Sequence, residues 1–505
     1  MKFLIFLLAL FSVVLTVPYS AQAQFVKDQE YLVNSNLKGK GEPTVYFLEK
    51  SGILIIQPDG KKPFSYLVTC LDTQFQVRWQ SLYKIPFFFS GDLKKYFDSY
   101  HGYFYVLAQE AAPSNKASVL KIDLSNGVMN YQDFKLSMVL DINDFKVLDE
   151  NLFISGVYRY KSIILQKMDG ETTTRILPGF YDRHISIQNI TEDFISNNIY
   201  FFIKDRQDCQ TSIYPYSNIL GLQKKIEVPG LQNYNFNNVL IKSIESKKKL
   251  VLGTFAHHCS NFPQGAFSLA FSPSNPEFLQ PKFFRFVDLV NFYSHLPKRQ
   301  EQLKEAASRK RKRGREHKLY NKMIFHNKVY DVPQGVVLSV EGYGESYKVF
   351  NNSNQRSVTQ VFDGYIPRYA TLIGFDEDGN KKWDNYIKFS NIKNMTLRPN
   401  VQLGSLGDSL VLTYFNDIGL TSKFIYQSES LQNEVMQTYK DLFPNSYTSE
   451  QVYNFVHLED NYFVLYGAYF NPVSNEKITY LRRMRFDPNA VAITESAQKK
   501  KKKNN

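Results

Sequence analysis

The chain has 505 residues, of which 43% are hydrophobic and 15% aromatic, so it is long enough to bury a sizeable core. Its formal net charge is +13. Lys2, residues 298–318 and residues 499–503 together carry all of this excess positive charge. The remaining body is neutral, which is not the composition of a protein whose surface follows nucleic acid. We therefore expect no nucleic-acid partner.

Residues 1–23 have the features of an export signal. Lys2 is followed by the apolar run Phe3–Leu15, and Ala21 and Ala23 form a small-residue cleavage site. The apolar run is shorter than the ~20 residues of a spanning helix, and no later run is long enough to be one. We therefore expect cleavage before Gln24 and a soluble, extracytoplasmic protein, either periplasmic or secreted, without a transmembrane segment.

Three cysteines, Cys70, Cys209 and Cys259, are too few and too widely spaced to form a disulfide framework. One bridge can form in an oxidising compartment. Cys70 lies within an apolar run and is expected to be a small core residue.

A unit of four short strands repeats along the chain. Its clearest copy spans residues 144–179, where alternating apolar runs are separated by turns such as Asp169-Gly170. Units begin at intervals of roughly 40–50 residues, the period of a β-propeller. Their starts lie near residues 43, 92, 140, 185, 238, 321, 400 and 452.

This period predicts an all-β protein, a β-propeller of eight four-stranded blades. Seven is the alternative, because the unit near residue 92 has a weak first strand. The last unit lacks a fourth strand, and residues 30–34 near the N-terminus can supply it and close the ring. Sandwich domains also show short strands at even spacing, but there the repeating element is a single strand and not a four-strand unit.

Two hairpins share one spacing. Asp72 and Asp376 each end a third strand, and Trp79 and Trp383, the only tryptophans, each follow seven residues later. These four residues are predicted to be equivalent structural positions of the repeat. Both hairpins resemble repeats of quinoprotein and WD40-like propellers, and residues 361–385 are also similar to secreted Bacteroidetes proteins that have no assigned activity. The resemblance implies a propeller fold. Quinoprotein propellers repeat the tryptophan in most blades, so we expect no cofactor here.

The rhythm breaks between the fifth and sixth units. Residues 287–296 have apolar residues at helical spacing, which predicts a first helix with one docked face. Pro297 and Gly314 fit the start and the end of a second helix. Its charge predicts a solvated projection or a site for an anionic partner. The candidate binding residues are Lys298, Arg299, Arg309, Lys310, Arg311, Lys312, Arg313 and Arg315.

The predicted organisation is a signal peptide (1–23), the first part of the propeller (24–286), a helical basic insertion (287–320), the second part of the propeller (321–490) and a disordered lysine-rich tail (491–505).

No local motif indicates catalysis. The run His257-His258-Cys259 lacks the four-ligand spacing of a zinc site, and residues 376–380 are too short for a calcium cage and suit a hairpin turn. Propeller hydrolases gather their carboxylates from different blades, so an enzyme stays an alternative.

The sequence therefore predicts an exported, non-enzymatic, monomeric interaction module of the cell envelope or exterior. Its expected partner is a protein or an anionic glycan such as lipopolysaccharide. The alternative is a carbohydrate-active hydrolase or lyase, which three or more carboxylates of raised pKa converging on the central channel would favour.

Overall fold

A computed structural model describes most of the chain. The described residues are 24–33, 43–59, 64–85, 94–109, 115–228, 234–245, 248–272, 280–333, 335–352, 357–442, 451–471 and 476–489. The predicted signal peptide and the predicted lysine-rich tail lie outside these ranges. Within them, no helix is both long and apolar enough to cross a membrane.

The described strands form eight antiparallel sheets that follow one another along the chain, which we number as blades 1–8. Blade 1 consists of β2 Thr44–Phe47, β3 Ile53–Pro58, β4 Ser65–Leu71 and β5 Val77–Lys84. Blade 2 consists of β6 Lys94–Tyr100, β7 Tyr103–Gln109, β8 Lys116–Asp123 and β9 Met129–Lys135. Blade 3 consists of β10 Asp141–Leu148, β11 Asn151–Tyr158, β12 Lys161–Lys167 and β13 Arg175–Ile176. Blade 4 consists of β14 Ile185–Asp193, β15 Asn198–Asp205, β16 Thr211–Ser217 and β17 Gly221–Leu222, and the short β18 Ile226–Glu227 also pairs with β16.

The second half repeats the pattern. Blade 5 consists of β19 Tyr234–Glu245, β20 Lys248–His257, β21 Pro263–Phe271 and β22 Lys282–Arg285. Blade 6 consists of β23 Lys322–Val332, β24 Gly335–Asn352, β25 Ser357–Phe375 and β26 Lys381–Lys388. Blade 7 consists of β27 Gln402–Leu406, β28 Ser409–Phe415, β29 Gly419–Tyr426 and β30 Glu429–Thr438. Blade 8 consists of β31 Gln451–Glu459, β32 Tyr462–Asn471 and β33 Glu476–Asp487, together with the N-terminal strand β1 Gln24–Leu32. The helices are α1 Pro297–Lys312 and α2 Tyr439–Leu442, with 3-10 turns at Glu49–Ser51 and Phe286–Asp288.

The first strands of successive blades lie next to one another and form the inner wall of a ring. Contacts join β6 to β10, β10 to β14, β14 to β19, β19 to β23, and β27 to β31. Strand β31 of blade 8 in turn contacts the 3-10 turn that follows β2 of blade 1. Sheets arranged in this way around an axis make an eight-bladed β-propeller, as the repeat predicts.

The N-terminal strand closes the ring, which confirms the prediction from the incomplete last unit. Strand β1 is the fourth strand of blade 8 and pairs antiparallel with β33, from Gln24 opposite Asp487 to Leu32 opposite Tyr480. Phe25 is buried against Phe455, Phe463 and Phe486. This pairing completes blade 8 and joins the two ends of the chain within one sheet.

The core lies between blades. Buried aliphatic and aromatic side chains form clusters, and each cluster joins neighbouring blades around the ring. One of them joins blade 8 to blade 1. Because faces of successive sheets pack on each other, the middle strands of several blades are buried on both sides, as in β20 and β21. The disulfide Cys209–Cys259 joins the turn after β15 to the turn after β20, while Cys70 is buried.

The repeated aspartates are turn residues. The Asp72 carboxylate accepts hydrogen bonds from the backbone N–H groups of Gln74 and Gln76, at 2.8 and 2.9 Å. Asp376 does the same with Asp378 and Asn380, at 3.0 and 2.7 Å. Such turns close the third strand onto the fourth, which explains why aspartate recurs at this point of the unit.

The two tryptophans occupy the same register position. Trp79 of β5 lies opposite Cys70, and Trp383 of β26 lies opposite Gly374, each just past a bulge in the pairing. Trp383 is buried, 5% exposed, whereas Trp79 is half-buried and donates its indole N–H to the Leu124 carbonyl of blade 2, at 2.9 Å.

The insertion between blades 5 and 6 differs from the prediction in its first half. Residues 287–296 do not form an α-helix: a 3-10 turn at Phe286–Asp288 is followed by further turns, and α1 begins at Pro297. The backbone N–H groups of Val290 and Asn291 donate to the Asp384 carboxylate of β26, at 3.1 and 2.6 Å. These bonds hold the segment against blade 6 in a turn conformation.

Candidate binding face

The insertion, residues 286–321, is here called the arm, and it is docked on the propeller. Beside the two bonds from its backbone to Asp384, the Asn291 side chain donates to the Asp384 backbone carbonyl at 2.7 Å. Leu289, Phe292 and Tyr293 are buried in the cluster between blades 5 and 6. Leu296, which helical spacing places on the docked face, is exposed instead.

Helix α1 lies on the same cluster through a narrow apolar stripe. Ala307 is buried there and Leu303 is partly buried, while most other positions of the helix are exposed. Pro297 takes the first helical position, and Gly314 follows the last turn with φ of +65°. The helix is therefore held along one side, which corrects the prediction of a free projection.

The return segment of the arm is held by a polar cluster. Glu316 accepts a hydrogen bond from the Tyr234 hydroxyl, lies 3.3 Å from His257 Nε2 and lies 3.6 Å from Arg285 Nη1. Leu319 is buried, and its backbone N–H donates to the Gln264 side chain at 2.7 Å. Both ends of the arm are thus anchored to blades 5 and 6.

All eight sequence-predicted basic residues are exposed, but the structure separates them into two groups. Three have a partner. Arg311 pairs with Asp288 at 2.7 Å, Arg309 lies 4.0 Å from Glu305, and Arg299 lies over the Tyr293 ring, 4.9 Å from its centroid. Among the residues that the structure describes, no acidic side chain forms an ion pair with the other five: Lys298, Lys310, Lys312, Arg313 and Arg315.

Burial and nearby cations lower the pKa of two histidines of the arm. Burial is the larger cause for His317, and the nearby charge of Lys310 lowers its pKa further. Burial is also the larger cause for His295, and the charges of Lys388 and Arg299 add to it. Both histidines therefore favour the neutral form.

A long hairpin next to the arm was missed by the sequence analysis. Strands β24 and β25 have 18 and 19 residues and extend well past their blade. Its base contacts the arm, because the Asn321 side chain donates to the Tyr369 hydroxyl at 3.4 Å and the Tyr293 and Tyr369 rings are 5.4 Å apart. The unusual length of the apolar alternation in residues 335–375 was the available signal.

Charged side chains also meet in the inner wall. Lys146 Nζ of β10 lies 3.3 Å from Asp98 Oδ1 of β6 and 3.1 Å from Glu192 Oε1 of β14. Burial and the neighbouring Asp98 raise the pKa of Glu192 to about 8, and burial raises the pKa of Asp144. Three carboxylates are thus gathered there, two of them with raised pKa.

This inner-wall group is largely occupied by its own contacts. Both Asp98 and Glu192 are mostly buried and both contact the Lys146 ammonium. Asp98 also accepts the Val147 backbone N–H at 2.8 Å. The Lys146 ammonium thus links three successive strands, and these contacts leave the carboxyl groups of Asp98 and Glu192 little freedom to contact a substrate.

A cavity of about 160 Å³ lies between blades 2 and 3 and would hold one small ring. Among its lining residues, Lys121 and Glu150 already form an ion pair. The buried Tyr105 also lines it, and no partner for its hydroxyl is found in the described structure.

The metal hypotheses find no support in this geometry. Cys259 is bonded to Cys209, so it is not free to share an ion with His257, which lies beside Glu316. Asp376 and Asn380 form the predicted hairpin turn. In the described ranges, no group of three or more His, Cys, Asp or Glu side chains could hold a metal ion.

No protein-family model and no curated protein sequence matches the chain. Solved structures do. The crystal structure of polysaccharide lyase Uly1 is 10% identical, with a TM-score of 0.40, covering 78% of this chain and 90% of the lyase. The β-propeller domain of the Trilobed protease from Pyrococcus furiosus is 7% identical, with a TM-score of 0.33 over 78% of this chain and 99% of that domain.

A structure from a study of two prolyl endopeptidases is 8% identical, with a TM-score of 0.40. It matches 90% of this chain, which spans only 56% of that protein. At these identities and TM-scores, the similarities carry no argument about activity. The fold rests on the eight sheets and their circular order.

Proposed function

We propose that this protein is an exported β-propeller that binds an anionic partner outside the cytoplasm through its basic arm. The observation that carries the proposal is that five exposed cations of the arm have no acidic partner among the described residues, although the arm itself is anchored at both ends. Like charges kept close together on a docked helix repel one another, and this repulsion opposes folding. An anionic partner relieves that repulsion.

The geometry of α1 supports an extended partner. The helix has 16 residues, so it is roughly 24 Å long. Lys298 lies near one end, and Lys310, Lys312 and Arg313 lie at the other, where the helix dipole also favours cations. Charges spread over this length suit a polyanion, such as an acidic glycan or lipopolysaccharide, better than a single small anion.

One observation favours the alternative function, a carbohydrate-active enzyme: two carboxyl groups of the inner wall have a raised pKa. A glycosidase needs two carboxyl groups that flank a substrate bond. Here the Lys146 ammonium contacts both Asp98 and Glu192. We therefore favour binding over catalysis.

The test compares two variants of equal charge change. In the arm variant, Lys310, Lys312, Arg313 and Arg315 are replaced by Gln. In the control variant, four exposed lysines of other blades are replaced by Gln: Lys84, Lys135, Lys224 and Lys440. Each cation near an anionic surface contributes about 1 kcal/mol at low salt.

The parent and the control variant should therefore elute from heparin or lipopolysaccharide columns at similar salt concentrations, and the arm variant at a clearly lower one. Salt elutes the protein because the screening length shortens to ~8 Å at physiological ionic strength. Equal elution of the two variants would contradict a specific role of the arm. Failure of the parent to bind either column would contradict the proposal as a whole.

A further inference from the structure

The hairpin of β24 and β25 continues past its blade as a two-stranded ribbon. Pairing of β23 with β24 ends at Tyr343, and pairing of β25 with β26 ends at Tyr369. Beyond these points, residues 344–352 and 357–366 form strand pairs with each other, with one isolated bridge from Tyr365 to Asn394. A two-stranded ribbon is only marginally stable in water by itself, so apolar side chains kept on it call for an explanation.

One face of the ribbon carries a continuous row of aromatic rings, here called the aromatic stripe: Tyr343, Tyr365, Phe362 and Tyr347. Successive ring centroids are 5.7, 4.9 and 5.9 Å apart. The two outer rings are the more open, with Tyr347 49% and Phe362 37% exposed. Successive rings meet edge to face, at interplanar angles of 82°, 63° and 76°, so the open apolar surface is that of the exposed Tyr347 and Phe362 rings.

The carboxylates beside the stripe are already neutralised. Glu345 pairs with Lys322 and accepts the Tyr347 hydroxyl at 2.8 Å. Asp363 pairs with Lys348 at 3.1 Å and also with Lys393. These ion pairs leave neither Glu345 nor Asp363 as an unpaired carboxylate that would repel an acidic ligand on the stripe.

The stripe begins where the arm ends. Lys322, the first residue of β23, follows the arm directly and lies opposite Tyr343 in the sheet. At the base of the same hairpin, Tyr369 contacts Tyr293 of the arm. The stripe and the arm are thus neighbours in the structure, and we consider their exposed parts together as one surface.

We propose that this surface binds an extended acidic polysaccharide, whose sugar rings stack on the aromatic stripe and whose carboxylate or sulfate groups meet the cations of the arm. The inference rests on the proposed function and names its ligand class. Stacking of successive flat units on a row of aromatic side chains is how single-stranded nucleic acids are bound without sequence preference. The apolar ring faces of sugars offer the same contact, and export makes a glycan the expected polymer.

The test uses polymers that separate charge from ring stacking. Polygalacturonate has sugar rings and carboxylates, poly-glutamate has carboxylates without rings, and single-stranded poly(dT) has stacking bases and phosphates. Affinities are measured at one low salt concentration for the intact parent and four variants. The stripe variant is Tyr347→Ala with Phe362→Ala, and the arm variant is the one described above.

The matched control changes the other face of the same ribbon. Phe350 and Val361 are 55% and 48% exposed and point away from the stripe, because side chains alternate along a strand. Their replacement by Ala removes a comparable apolar surface without touching the stripe. Phe362→Tyr, which keeps an aromatic ring, serves as a rescue that guards against misfolding of the stripe variant.

The stripe variant should bind polygalacturonate roughly tenfold more weakly or worse. Its affinity for poly-glutamate should stay within about twofold of the parent, whereas the arm variant should lose affinity for both. The control and Phe362→Tyr should bind like the parent. The stripe would be ruled out as a sugar-binding site by either of two results. The first is a stripe variant that binds polygalacturonate as well as the parent does, and the second is one whose affinity for poly-glutamate falls as much as its affinity for polygalacturonate. Neither result would contradict the proposed role of the arm.

A loss seen with poly(dT) and not with polygalacturonate would also overturn the glycan assignment. If the parent binds neither polygalacturonate nor poly-glutamate, the proposed function itself fails.

Discussion

Blades 1 and 6 contain the same hairpin put to different use. In both, an aspartate caps the turn and a tryptophan follows at the same register position. Trp79 is half-buried, and a Cβ on Gly127 of blade 2 would come within 2.9 Å of its ring. Trp383 is buried against Gly374 of its own sheet, and a Cβ there would lie 2.2 Å from the ring.

The difference lies in what each blade holds. Directly after Trp383, Asp384 is fully buried and binds the arm, whereas the residue after Trp79 is the exposed Gln80. Blade 6 has therefore become the support of the candidate binding face. The same sequence pattern thus forms the same hairpin in two blades, but its residues contribute differently to stability because they are buried to different extents.

The largest expected effect is that of Trp383→Ala. Truncation of a buried aromatic ring leaves a cavity and lowers the free energy of unfolding by about 3–5 kcal/mol. Chemical denaturation followed by circular dichroism measures this loss. A loss no greater than that of Trp79→Ala would show that the two positions are energetically alike.

Asp384→Ala should come next, at about 2 kcal/mol, because the backbone N–H groups of Val290 and Asn291 would be left without their buried acceptor. The arm should also loosen, so trypsin should cleave within α1 faster. Asp331→Ala is the control, since its ion pair with Lys242 is exposed. Unchanged cleavage in Asp384→Ala would mean that other contacts hold the arm.

Trp79→Ala should cost about 1–2 kcal/mol, since a half-buried ring loses less burial and one hydrogen bond. Fluorescence gives an independent comparison. Trp79→Phe leaves the buried Trp383 as the emitter, and Trp383→Phe leaves the half-buried Trp79, so the former should emit at shorter wavelength. The reverse order would contradict the burial described above.

The smallest effect concerns the turn of blade 6. Burial opposes ionisation of Asp376, but hydrogen bonds from Asn380 and Lys382 outweigh it and lower its pKa to about 2. A carboxyl whose pKa falls on folding adds stability above its usual pKa of about 4, and this stability is lost as the pH falls towards 2.

Because Asp376 is only partly buried, solvent screening should keep its contribution below about 1 kcal/mol. Unfolding of the parent and of Asp376→Asn, compared across this pH range, should therefore converge at the acid end. A constant difference at every pH would mean that the charge of Asp376 contributes nothing.

The sequence by itself determined the local pattern. Alternating apolar residues, turn-forming aspartates and a period of roughly 40–50 residues encode four-stranded units, because strand faces and tight turns depend on residues close in the chain. The missing fourth strand of the last unit also predicted the closure by β1, since an unpaired edge has to be satisfied. The starts of all eight first strands lie within a few residues of their predicted positions.

Only the tertiary structure decided which distant groups meet. Asp384 reaches the arm, Cys209 pairs with Cys259, and Asp98, Lys146 and Glu192 join three blades. None of these contacts has a local signature, because each depends on how neighbouring blades turn about the common axis. The helical spacing of residues 287–296 was misleading for the same reason: these residues form turns whose apolar side chains pack between blades 5 and 6 and whose backbone is bound by the distant Asp384.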